Sequence, residues 1–72
     1  MSEEVTSLGT ALPAEMKRVR DEIIPAYLEI GLPGQLALMI MRQELDQATK
    51  ALAEGDVIAM LRSYEVLKGY KL

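Results

Sequence analysis

The 72-residue chain contains no cysteine, histidine, tryptophan or phenylalanine. Without cysteine there is no disulfide to constrain the unfolded chain, and no thiolate to hold a metal or act as a nucleophile. Without histidine the commonest metal ligand and the commonest general base are gone. With neither large aromatic, the core must be built from Leu, Ile, Val, Met and Ala, and five methionines are many for this length. A strong excess of either charge is also missing: Lys+Arg 8 against Asp+Glu 11 gives a net −3, mixed along the chain. That is too little positive charge for nucleic-acid binding by bulk electrostatics, and too little negative charge to mimic DNA. The longest purely apolar run, Leu36 to Met41, is far short of the ~20 residues of a membrane-spanning helix. The acidic start Met1-Ser2-Glu3-Glu4 differs from the basic start of a signal peptide. The expected location is the cytoplasm, with no membrane contact.

Half of the residues are apolar. A chain this short buries only about 60–65% of its unfolded surface, so its core is marginal unless supplemented. Disulfides are excluded, and a second chain is the supplement left open.

The pattern of apolar residues predicts an all-α fold, a compact three-helix arrangement in one domain over 11–72, preceded by a flexible tail over 1–10; the alternative for the tail is that its isolated apolar residues Val5 and Leu8 dock on an apolar groove. The organising stretch is Leu36 to Glu54, with no Pro or Gly inside it. Leu38, Met41, Leu45, Ala48 and Leu52 recur at steps of three and four and define one inward stripe. Arg42, Asp46, Lys50 and Glu54 alternate in sign on another face, as suits a surface in water.

The first helix is expected to begin near Leu12-Pro13, with Thr10 as its cap and Glu15 near its positive end. Its inward stripe reads Met16, Val19, Ile23, Ala26 or Tyr27, and Ile30, and Lys17 with Asp21 and Arg18 with Glu22 are spaced for exposed ion pairs. Pro25 cannot donate to the carbonyl of Asp21 and crowds that turn, so a kink or break is expected at Ile24-Pro25. Gly31-Leu32-Pro33-Gly34 ends this helix and folds the second back antiparallel to it. Gly55, in the left-handed conformation, ends the second helix, and Asp56 caps the third, from about Val57 to Lys68. Val57, Met60, Leu61, Tyr64 and Leu67 read as its inward face, with Gly69 as its stop and Tyr70 and Leu72 beyond.

No motif carries chemistry. Lys17-Arg18-Val19-Arg20 is the densest basic cluster, but Asp21 and Glu22 follow at once and no aromatic interleaves, so it reads as a solvated face. The second and third helices could form a helix-turn-helix, yet the third opens on Asp56-Val57-Ile58-Ala59-Met60, acidic and then apolar, where a recognition helix offers Arg, Asn, Gln or Ser. The hairpin from Ala48 to Tyr70 has the small residues, Gly-Asp turn and tyrosine of one tetratricopeptide unit, but a single hairpin is not a stacked array. Glu15, Glu22, Glu29, Glu44 and Glu65 all fall off the inward stripes, so no metal site is expected, and Ser63 and Tyr64 have no base beside them. No catalytic residue, cofactor or metal is assigned, and the chain is not read as an enzyme.

Placing the helices on a wheel leaves large apolar residues that no inward stripe uses. Ile24 and Leu28 fall off the first helix's stripe, and Leu36, Met39 and Ile40 off the second's. The Gly31–Gly34 connection gathers them at one corner, with Leu32 beside them. This is the candidate interface, and a protein partner or a second copy of the chain, as a homodimer, is the expected occupant. The competing reading is that the Pro25 kink turns Ile24 and Leu28 into plain core. Ile58 and Val66, off the face of the third helix, are a secondary candidate interface.

The run Leu12-Pro13-Ala14-Glu15-Met16-Lys17-Arg18-Val19-Arg20-Asp21, with Ala51-Leu52-Ala53-Glu54-Gly55-Asp56 and the ending Leu67-Lys68-Gly69-Tyr70, resembles small uncharacterised proteins of tailed bacteriophages and prophages. The resemblance implies a cytoplasmic accessory protein of viral origin, and carries no activity or functional residues with it. The function expected from residues and resemblance together is protein–protein interaction with self-association, and the alternative is a nucleic-acid-binding regulator using the second and third helices.

Overall fold

The computed structural model describes residues 3–72, with side chains from Ser7 onward. The expectation for Val5 and for the first residues of the tail therefore falls outside the described side chains. The fold is all-α, three helices around one core. The first helix comprises α1 (Glu3–Arg18), a π-helical turn (Val19–Ile23) and α2 (Ile24–Ile30). The second is α3 (Leu32–Glu54), and the third is α4 (Val57–Lys68). Together they form a body of 44 × 17 × 15 Å.

The kink in the first helix has a visible cause. The N–H of Ile24 donates to the carbonyl of Val19, five residues back, which widens the turn just ahead of Pro25. An α-helical turn there would force the proline ring against the carbonyl of Asp21, and the π turn takes in an extra residue instead.

The first helix starts well before the expected Leu12-Pro13. Residues 7–10 are helical, Leu8 and Leu12 are buried, and Thr10 lies inside α1 rather than capping it. Pro13 is an interior proline, and an unbroken helix across it is unfavourable by about 3 kcal/mol. Burying Leu8 and Leu12 returns about 1.5–3 kcal/mol each, enough to offset it. Isolated apolar residues among Ser, Thr and Gly gave no periodic signal, so the register of this turn was not legible.

The expected four-residue connection is a single residue. Gly31 has φ 83° and ψ −141°, a conformation that only glycine adopts readily. Pro33 then occupies the first turn of α3, where its missing N–H costs nothing. Gly34 is buried in α3 against α2: a β-carbon there would lie 2.7 Å from the carbonyl oxygen of Tyr27. Glycine at this position lets the two helices touch backbone to backbone.

At the other end of α3, Gly55 is left-handed (φ 66°, ψ 27°), as expected. Its N–H donates to the carbonyl of Leu52 and that of Asp56 to Ala51, which is a Schellman closure. The Asp56 side chain then accepts from the N–H of Ala59 at 3.1 Å and caps α4.

The core comprises Leu8, Leu12, Val19, Ile23, Ile24, Leu38, Met41, Ala48, Ala51, Met60 and Leu67. The α4 face differs from the expected one. Met60, Ser63 and Leu67 are buried, while Val57 and Leu61 are exposed. Ala48, Ala51 and Ser63 are small residues on the facing elements and suit close helix approach, so the buried stripe follows size as well as hydropathy.

Candidate interaction surface

The site is defined by which helix faces pack on one another. The chief neighbours of α4 are α1 and α3, whereas α2 packs on α3. The point where α4 stops is marked by Arg18: its Nη2 donates to the carbonyl of Leu67 at 3.0 Å and also binds Oε1 of Glu15 at 3.2 Å. A guanidinium at the negative end of α4 is favourable, and it is half-buried here. The expected Arg18–Glu22 pair does not form, because Arg18 is committed to Glu15 and Leu67. Glu15 is half-buried and not on a freely solvated face. The expected Lys17–Asp21 pair is present at 2.6 Å, and hydrogen bonding from Lys17 lowers the Asp21 carboxyl below its ordinary 3.8. Arg20 is 3.7 Å from Asp21. The basic cluster is thus divided between ion pairs and a helix cap.

Beyond Arg18 the molecule has two helices where it had three. Tyr70 folds back from the end of α4 into part of the gap and is half-buried. Burial first, then the nearby charge of Glu44 and the phenol of Tyr27, raise its pKa. The rest of this end stays open. Leu28 is 55% exposed, Leu32 81%, Leu36 68%, Met39 66% and Ile40 45%. Five of the six expected corner residues therefore lie on the surface. Ile24 does not: at 9% exposure it belongs to the core, because the extra residue of the π turn rotates it to the side of Ile23. Ile30, expected inward, is exposed, since α3 turns back only at Gly31 and leaves the last residue of α2 uncovered.

The surface has a definite orientation on α3. At about 100° per residue, Leu32, Leu36 and Met39 fall opposite the buried Gly34, Leu38 and Met41. The same outer stripe continues as Gln43, Asp46 and Lys50. One helix face thus passes from apolar to charged along its length, while the opposite face is apolar throughout. A helix that is apolar all round belongs in an interior, and the first two turns of α3 have only one side covered.

The secondary candidates separate. Ile58 is 83% exposed and Val66 is half-buried. Ile58 lies one turn from the exposed Leu61, with Val57 beside them, a smaller apolar patch at the opposite end of the molecule. Sequence reasoning missed Val57 and Leu61 by reading hydropathy alone; the register Met60-Ser63-Leu67, with its small central residue, was the available signal.

Other surface features hold less. A shallow open depression at the α3–α4 turn is lined by Gln47, Lys50, Ala51, Glu54, Asp56, Ala59 and Arg62, with charges of both signs. Among the described residues, no group of three or more Asp or Glu is placed to hold a metal ion, and no helix is long and apolar enough to cross a membrane. No known protein family, curated protein or solved structure matches the chain.

Proposed function

We propose that this chain is a small phage-type accessory protein that works in the cytoplasm by protein–protein contact, self-associating through the open end of the α2–α3 hairpin. The carrying observation is the apolar stripe Leu32-Leu36-Met39, flanked by Leu28 and Ile40, on a helix whose opposite face is already buried. Taking roughly 150–200 Å² for a fully exposed residue of this size, these five and Ile30 leave on the order of 600 Å² open, beside the roughly 800 Å² that each partner contributes to a standard interface. Methionine adapts to an opposing surface without strain. The phage assignment rests on the resemblance carried by Leu12–Asp21 and Ala51–Asp56.

The nucleic-acid reading is less well supported. The start of α4 presents the Asp56 cap with exposed Val57 and Ile58, and Arg18 is engaged inside the fold. Sedimentation of the wild type and of Leu36→Glu tests the proposal. The expected outcome is a concentration-dependent dimer for the wild type and a folded monomer for the variant. A wild type that stays monomeric at the highest concentrations would refute it.

A further inference from the structure

Building on the self-association reading, we infer that the second copy docks by a two-fold axis that crosses α3 on α3 antiparallel near Leu36, so that two α2–α3 ends close into a four-helix arrangement. In a two-fold interface the same patch meets itself, so any charge close to the axis faces its own copy. Residues 30–41 contain no charged residue, the longest such stretch within the helical body. The exposed part of α3 therefore brings no like charges together when it pairs with itself.

The direction of the crossing follows from the same stripe. In a parallel pairing Asp46 would face Asp46 and Lys50 would face Lys50 along the outer face of α3. In an antiparallel crossing at Leu36, those residues run past the start of the other copy's α3, and only the uncharged turns overlap. Leu32 of one copy then lies opposite Met39 of the other, and the two three-helix ends point away from each other.

The chain has no cysteine, so single introduced cysteines report proximity without background. Leu36→Cys, Ile58→Cys and Asp46→Cys all replace exposed residues. Under mild oxidation Leu36→Cys should convert most of the chain to a disulfide-linked dimer, while the other two give no more than collisional cross-linking. Mixing Leu32→Cys with Met39→Cys chains should yield more mixed than self-linked dimer. A wild type that sediments as a dimer, but in which Ile58→Cys or Asp46→Cys cross-links as well as or better than Leu36→Cys, overturns the arrangement and leaves self-association standing. A wild type that is monomeric throughout overturns both.

Discussion

The two ends of this molecule are made from similar residues and differ in what covers them. At one end α1, α4 and the C-terminal half of α3 enclose Leu12, Ala48 and Leu67, all fully buried. At the other, α2 and the N-terminal half of α3 form a two-helix layer, and Leu32, Leu36 and Met39 stay in water. Hydrophobicity alone does not separate Leu12 from Leu36. Position does: Leu12 lies inside the core, whereas Leu36 lies on the outer face of α3, which stays exposed further along as Gln43, Asp46 and Lys50. An exposed apolar stripe on a small protein can thus be the apolar start of an outer helix face that is polar and charged along the rest of its length, with no departure from ordinary helix packing.

The sharpest way to break the comparison is to remove a leucine from each end. Leu12→Ala should cost about 2–5 kcal/mol, much of the roughly 4–11 kcal/mol expected for a chain of this size, and denaturant titration would show partial or complete unfolding. Leu36→Ala should leave monomer stability within about 0.5 kcal/mol of wild type, while weakening association. Equal losses at the two sites would erase the distinction.

Gly34→Ala acts at the seam of the two-helix end. The added β-carbon meets the Tyr27 carbonyl at 2.7 Å, so α2 must move away from α3, at a cost of about 1–3 kcal/mol. Hydrogen exchange should show α2 losing protection while α4 keeps it. Gly55→Ala makes the matching test at the other end. Nothing crowds the site, and only the positive φ opposes the side chain, so the cost is about 1 kcal/mol and the melting temperature should fall by several degrees.

Titration gives the smallest effect. Folding keeps the Tyr70 proton on, so its docking is undisturbed below the ordinary tyrosine value of 10.0 and weakens as pH rises above it. Phenolate absorbance should show a component ionising above pH 10.0 that Tyr70→Phe removes. A titration whose high-pH end is unchanged by Tyr70→Phe would place Tyr70 in solvent.

What could be read from the residues follows a physical divide. Local signals were legible: Gly55 and Asp56 close α3 and open α4 as their chemistry requires, and Pro25 marks the kink. The all-α class and the α3–α4 hairpin follow from periodicity. Non-local facts were hidden. The position of Ile24 depends on a π turn, which shifts the register of every residue after it. The helical start at Glu3 depends on Leu8 finding a groove built by distant segments. That Leu36 and Met39 fall off the buried stripe of α3 was legible on a wheel drawn for that helix alone; which face of α4 packs inward, through Met60, Ser63 and Leu67, depends on how three helices align, and no such wheel contains it.

The most direct test of a two-helix end completed by a second copy is amide hydrogen exchange of the wild type over a wide range of protein concentration. Protection of residues 28–40 should rise with concentration, while that of Leu12, Ala48 and Leu67 rises less. If residues 28–40 exchange at the same rate at every concentration, the open end has no second copy to cover it and the central claim fails.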